Sequence, residues 1–495
     1  MSEPDSDTLY IYQLQSGNTP SRLTTYQTIT SLPVDAVAIS GDKRWIYTSD
    51  TTNNIVYAYK QSHQLVNATS MVSGQTYVIN SVGTTDFTLY GAESNTVGLA
   101  FVYNGTSVTG TGTATLSTYV YATSMNGNSL GLTTSGDNFG YSLSTNYYGD
   151  TIVVGTPNKD YSVDIENYGY TYVFTRFTQN IEVQTYSTPP ATQTFSLALS
   201  YGTVPYVYHN GTLVPTSYYS VVGSNLIYSG LLIEGDIITV SSQTIILTQT
   251  LTTEHTPRIG VQFGKSVDNN TFASEILIGS PFELDVTNGE GAVYRYTNGG
   301  AKYGMITGVN ECNLPGYNSV LINGYEITLP PGNAQVVSNA ISSAGITNVT
   351  ASYTSDNKLV IALIDDQLGV PNNKLTVTAS VTQSSQLGIK NYTQTQVINC
   401  PHNAGTTQFG NNVTFGQDDS FIASAPVGTR YSATTFDFTD DELDNDTIFD
   451  NNATQFIDTF LNAGAVYMFD YIANYNESLS NIGKDRKSTR LNSSH

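Results

Sequence analysis

The chain has 495 residues, and its 18 Lys and Arg against 40 Asp and Glu leave a formal net charge of -22, which argues against non-specific binding to nucleic acid or anionic membranes. Only 12% of residues are charged, so surface polarity must come from Thr, Ser, Asn, Gln and Tyr; with 36 Tyr and 42 Gly this is the composition of strands and turns, not of disorder. No apolar run approaches the roughly 18 residues of a membrane-spanning helix, the acidic start Met1-Ser2-Glu3-Pro4-Asp5 is unlike a secretory signal, and two cysteines cannot build a disulfide scaffold or a Cys-rich zinc site.

What remains is an acidic, soluble, nearly all-β chain of about three to five units. In chain order, residues 8–65 open with a strand at Thr8-Leu9-Tyr10-Ile11-Tyr12. Short apolar runs follow at Val37-Ala38-Ile39, Trp45-Ile46-Tyr47 and Ile55-Val56-Tyr57-Ala58-Tyr59. Residues 66–120 break this rhythm with Gly- and Thr-rich strands, read as an inserted β module.

The next segment, 121–177, carries Phe139-Gly140, the run Ile152-Val153-Val154 ending in Gly155-Thr156-Pro157, and Gly169-Tyr170-Thr171-Tyr172-Val173-Phe174. A second insert, 178–243, holds an Asn210-Gly211 turn of hairpin type and a strand near Gly235-Asp236-Ile237-Ile238. The pattern then returns in 244–308 as Phe263-Gly264, Ile276-Leu277-Ile278-Gly279-Ser280-Pro281 and Gly291-Ala292-Val293-Tyr294-Arg295-Tyr296. A third insert, 309–400, is α+β. Its one substantial helix is expected over Asn333–Ala344, with Val336, Val337, Ala340 and Ile341 on one face. A hairpin from Val349–Tyr353 to Lys358–Leu363 should turn at Asp356-Asn357.

The last copy, 401–484, has Phe409-Gly410, Phe421-Ile422-Ala423-Ser424-Ala425-Pro426 and Gly464-Ala465-Val466-Tyr467-Met468-Phe469. Residues 485–495 place three cations in eleven positions and read as translated sequencing adapter, so the natural chain is expected to be a piece of a longer reading frame.

Each copy has a simple physical reading. Apolar runs bounded by Gly and Pro are strands. A Gly before each Tyr-rich run suits a tight turn with positive φ, and a Pro after each apolar run stops pairing for want of an N–H. Repetition at this scale organises the whole chain. The Phe-Gly … Gly/Ala-x-Pro … Val-Tyr-x-Phe/Tyr copies resemble the FG-GAP repeat of β-propellers, the blade type of the integrin α-chain. That resemblance covers about four blade cores and implies an all-β fold with minor α: a partial or closed β-propeller of about four FG-GAP-like blades carrying three small inserted β or α+β modules. Thr8–Tyr12 would then be the remnant of a missing blade or the strand that closes the ring. The inserts resemble β modules of tail-fibre and other virion structural proteins of tailed phages, most closely those of T4-like phages of marine cyanobacteria.

The resemblance also implies calcium loops between the Pro turn and the last strand of a blade. The acidic run 437–450 supplies Asp440, Glu442, Asp444 and Asp446 as hard oxygen ligands, though without the family's Asp-x-Asp-x-Asp-Gly form; a solvated loop is the other reading. Equivalent loops hold Asp160, Asp164 and Glu166, and Glu283, Asp285, Asn288 and Glu290. Cys312 and Cys400 bracket the third insert and could lie close enough to pair, or stay as two thiols. His63, His209, His255 and His402 are scattered over different modules, and no nucleophile, phosphate-loop or metalloprotease motif occurs, so no enzyme is expected.

The functional expectation is a non-enzymatic structural or host-recognition protein of a phage virion, in its tail or fibres. Its partners would be other virion proteins and a host-surface receptor or glycan, with no nucleic acid and no membrane insertion. The alternative is a calcium-stabilised adhesin or carbohydrate- or protein-binding propeller, extracellular or on the bacterial surface.

Overall fold

The computed structural model describes residues 2–3, 7–15, 22–30, 32–185, 194–196, 206–210, 212–214, 219–222, 225–228, 232–253, 255–283, 291–364, 375–400, 407–416, 420–426, 430–433, 456–460 and 465–469. These residues are mostly strand, with three short α-helices, and the strands form separate sheets with no closed ring among them. None of the described helices is long and apolar enough to cross a membrane. The chain divides into two compact units: residues 1–50, 55–126 and 176–245 in one, and 51–54, 127–175 and 246–495 in the other.

In the first unit, Val37–Ile39, Trp45–Asp50 and Ile55–Asn67 form an antiparallel meander, and Trp45–Asp50 is buried along its whole length. The fourth strand is Thr113–Asn126, paired with Ile55–Asn67 from Ile55↔Asn126 to Asn67↔Thr113. This long ribbon carries the first insert, whose strands Thr76–Ser81 and Ala100–Val102 join its far end. The insert has its own core of Tyr77, Ile79, Phe87, Tyr90, Phe101 and Ala114. Strand Thr113–Asn126 therefore crosses the 120/121 boundary expected between insert and blade. Thr8–Gln15 pairs with Arg22–Thr30 and packs Leu9 with Leu32, Val34, Ile46, Tyr59 and Tyr119. Ser2–Glu3 pairs on its other side, so among the described residues these strands form a three-stranded sheet of their own.

The second insert is also in the first unit. Tyr206–His209 turns at Asn210 (φ 48) into Thr212–Leu213 and pairs on its other side with the strand Ile237–Leu251. Asn-Gly was the expected turn, because positive φ is least costly for these two residue types.

The second unit holds the Phe-Gly copies. Ser142–Thr145, Thr151–Thr156 and the start of Tyr170–Thr185 form the first sheet. Ser266–Asn269, Glu275–Ser280 and Ala292–Asn298 form the second, closed by Tyr392–Asn399. Val413–Phe415, Phe421–Ala425 and Ala465–Phe469 form the third. The middle strands are continuous apolar runs because both their faces are covered: Ile152, Val153 and Val154, and Ile276, Leu277 and Ile278, are all fully buried.

The third insert leaves and re-enters the second sheet at the pair Asn298↔Tyr392. It encloses a core of its own, including Ile306, Leu314, Ile322, Val337, Ile341, Leu359 and Ile361. Its hairpin Val349–Tyr353 to Leu359–Leu363 turns as expected, with Asn357 at φ 60. The run Val320–Leu329 is itself a hairpin, turned by Asn323 and Gly324. The helix is Ala334–Ser343, capped by the Asn333 side chain accepting from the Val336 N–H. Its buried positions are Ala334, Val337, Ser338 and Ile341, whereas Val336 is exposed, so the expected face is rotated by about one position.

Cys312 and Cys400 are both buried and are not joined. Cys312 lies in the core of the insert, and Cys400 packs with Phe409 and Phe421. The insert closes at Tyr392, so Cys400 stands beyond the eight-residue strand Tyr392–Asn399, roughly 25 Å along it.

Candidate functional site

The three Phe-Gly dipeptides have one local conformation. Phe139, Phe263 and Phe409 are fully buried, and each is followed by a glycine in the left-handed region: Gly140 (φ 89), Gly264 (φ 88) and Gly410 (φ 84). The residue before each Phe is left-handed as well: Asn138, Gln262 and Gln408. This double kink drops the ring into the sheet core, where Phe263 meets Tyr294 edge-on at 5.3 Å. It also brings backbones of neighbouring sheets together. A Cβ on Gly155 would strike the Gly264 carbonyl, and one on Gly279 would strike the Gly410 carbonyl. Small residues at those points are thus a packing requirement between sheets, not only a turn requirement within one.

From each Phe the chain enters the first strand of its sheet, and the three first strands lie beside one another. Ser142 Oγ donates to the Gly264 carbonyl, and Ser266 Oγ repeats the bond to the Gly410 carbonyl, both at 2.8 Å. Deeper in, Asp268 joins all three strands. Its Oδ1 accepts from Ser144 Oγ at 2.7 Å and from the Asn269 N–H at 2.9 Å, while its Oδ2 accepts from Thr414 Oγ1 at 3.0 Å and from the Phe415 N–H at 2.8 Å. Ser144, Asp268 and Thr414 each stand five residues after their Phe. Sequence reading missed Asp268, and that equal offset was the signal that could have found it.

Above these bonds the strands leave a cavity of about 290 Å³, lined by Tyr141, Ser142 and Leu143, Lys265, Ser266 and Val267, and Asn411, Asn412 and Val413. The lining includes the residues two places after each Phe: Tyr141, Lys265 and Asn411. Lys265 Nζ stands 4.1 Å from the centroid of the Tyr141 ring. The cavity offers a cation, a phenol and carboxamides, with no carboxylate among its lining residues. Its serine hydroxyls already hold the strands together. Lys265, Tyr141, Asn411 and Asn412 give it groups able to hold a small polar ligand.

Asp440, Glu442, Asp444 and Asp446, together with Asp285 and Asn288, lie outside the described residues, as does Glu290. Of the other acidic positions singled out, Asp160 accepts the Asn167 N–H at 2.8 Å, in a loop pinned by a bridge between Ser162 and Ile165. Glu283 is 4% exposed and faces inward, with His255 Nδ1 at 3.7 Å and the Ser280 hydroxyl at 3.5 Å. Burial pushes its carboxyl above the ordinary 4.5, against the opposing pull of Tyr294, His255 and Arg258. Among the described residues, no group of three or more His, Cys, Asp or Glu is placed to hold a metal ion.

A second polar cluster sits in the second insert. Asp236 accepts from the Ile233 N–H and from Asn210 Nδ2, both at 2.8 Å, and its Oδ2 is 2.8 Å from His209 Nε2. The Ile233 bond, with that from Asn210, holds the Asp236 carboxyl below its usual range. Tyr228 Oη lies 3.2 Å from the other ring nitrogen of His209. These groups tie the Asn210 hairpin to the next strand. No known protein family matches the chain, and no curated protein sequence matches it either.

Proposed function

We propose that this chain is a non-enzymatic structural or host-recognition protein of a tailed-phage virion, in its tail or fibres, in which FG-GAP-like propeller sheets present inserted modules to partners. The observation that carries the reading is where the modules sit. The first and third inserts leave their sheets between the third and fourth strands, and each encloses a core of its own. Such a module is held at both ends by paired strands, so it can vary in its outer surface while its sheet is unchanged. The side-by-side first strands around Asp268 are what supports propeller geometry for the Phe-Gly sheets. Partners would be other virion proteins and a host-surface receptor or glycan, with no nucleic acid and no membrane insertion. Binding without chemistry gains strength from repetition in the particle, since linked weak contacts act at high effective concentration. The calcium expected at Asp440, Glu442, Asp444 and Asp446 belongs to the same reading.

The test is immunogold electron microscopy of particles that carry the protein, with antibody raised against residues 299–391. Label on the tail or fibres is the expected result. Label confined to bacterial cell surfaces, or absent from intact particles, overturns the reading.

A further inference from the structure

The Phe and Gly of each copy recur because packing requires them, but the position after the Gly does not recur. It is Tyr141 in the first copy, Lys265 in the second and Asn411 in the third, so packing does not dictate it. Yet the fold brings these three residues to one place. Ser142 follows Tyr141 and donates at 2.8 Å to the carbonyl of Gly264, the residue before Lys265. Ser266 follows Lys265 and donates at 2.8 Å to the carbonyl of Gly410, the residue before Asn411. The two bonds set Tyr141 beside Lys265 and Lys265 beside Asn411, and all three line the cavity of about 290 Å³.

The polar groups there are not consumed by the fold. Lys265 Nζ stands 4.1 Å from the Tyr141 ring centroid, and a ring face attracts an ammonium without neutralising it. Among the described residues Lys265 has no ion-pair partner, and none of the lining residues is acidic. The strand continues into Ser266 and Val267, both buried, and a charge against a low-dielectric wall acts more strongly than one in open water. The Asn411 carboxamide makes no hydrogen bond among the described residues. Asn412 stands where the other two copies have their bridging serines, and its Nδ2 reaches Ser424 Oγ at 3.5 Å, the outer limit of a hydrogen bond.

We propose that this cavity binds a single small sugar acid, with Lys265 pairing with its carboxylate and Asn411 and Asn412 as amide donors. One ammonium matches one negative charge, and amide N–H groups complement carboxylate oxygens. The amide oxygens and the Tyr141 phenol suit the hydroxyls of a sugar ring. The volume lies at the lower edge of the roughly 300–1,000 Å³ of ligand pockets, which fits one ring and not an oligosaccharide. A net charge of -22 works against a multiply charged ligand. The site rests on the Phe-Gly sheets and not on the virion assignment.

The experiment is calorimetric titration of the full chain with sodium glucuronate and, separately, with glucose as the neutral analogue, at ionic strength held with sodium chloride. Saturable heat with glucuronate, together with a raised melting temperature, is the expected result. Glucose should bind more weakly by about tenfold or more, for want of the charge-assisted contact. Lys265→Gln should weaken glucuronate binding by about tenfold or more, and Asn411→Ala by about two- to tenfold, the range for one hydrogen bond. Absence of saturable heat with glucuronate overturns the site, and so does unchanged affinity in both variants. Equal affinity for glucose and glucuronate overturns the role given to Lys265 and with it the ligand class. The comparison of the two sugars on the unaltered chain decides the matter even if a variant fails to fold. No particle is involved, so the site and the virion reading can fail independently.

Discussion

Asp268 concentrates in one residue what holds the Phe-Gly sheets side by side. Its two oxygens accept four hydrogen bonds from three strands, two of them from neighbouring sheets. Replacing it by Ala leaves the part-buried Phe415 N–H short of an acceptor, a loss of about 1–3 kcal/mol, whereas Ser144 Oγ keeps Asn269 Oδ1 and the exposed Thr414 hydroxyl can turn to water. Asp268→Ala should therefore lower stability in urea denaturation by about 1–3 kcal/mol, and an unchanged midpoint would remove its bridging role. Phe263→Ala should cost about 3–5 kcal/mol, because the ring is fully buried against Tyr294 and Tyr296. Glu283 makes a prediction of opposite character. Its folded pKa is raised by burial, so its contribution is complete below the unfolded value near 4.5 and is lost as pH rises through the folded one. Glu283→Gln, neutral throughout, should melt higher than wild type at neutral pH and converge with it in acid. The groups facing that carboxyl are His255, Arg258, Tyr294 and Ser280, and a melting series across pH for the two proteins checks the sign.

At the scale of elements, local chemistry and register made different parts of the fold legible. Turns were plain because Asn at positive φ acts over two residues, as at Asn210 and Asp356-Asn357, whereas the turn at Asn323-Gly324 lay hidden inside one strand-like run. The helix was plain because Asn333 caps an apolar pattern of helical period. Its buried face was not. Val336, Val337, Ala340 and Ile341 fit one stripe, yet Ser338 is buried and Val336 is not. Ser338 tolerates burial because its hydroxyl donates to the Gln335 carbonyl at 3.1 Å, a bond that apolar periodicity does not register. The third insert, with a core of its own and ends joined at Asn298↔Tyr392, should be removable. Replacing residues 299–391 by an Asn-Gly turn should leave the melting temperature of the remaining chain within about 4 °C of its parent, since a short hairpin costs less closure entropy than a long loop. Loss of cooperative melting would show that the sheet depends on the insert.

For the molecule as a whole, composition and repetition determined a β-rich chain built from recurring Phe-Gly units interrupted by modules. They could do so because strand alternation, glycine turns and proline stops act within a few residues, and a repeated unit writes the same signals again. Tertiary structure alone decided which strand completes each sheet. Thr113–Asn126 pairs with Ile55–Asn67, and Tyr392–Asn399 with Ala292–Asn298, across entire inserted modules. A strand's own pattern states which face it buries but carries no address for a distant partner. The same reason hid the candidate site. Tyr141, Lys265 and Asn411 share a cavity only after pairing has brought together residues far apart in the chain.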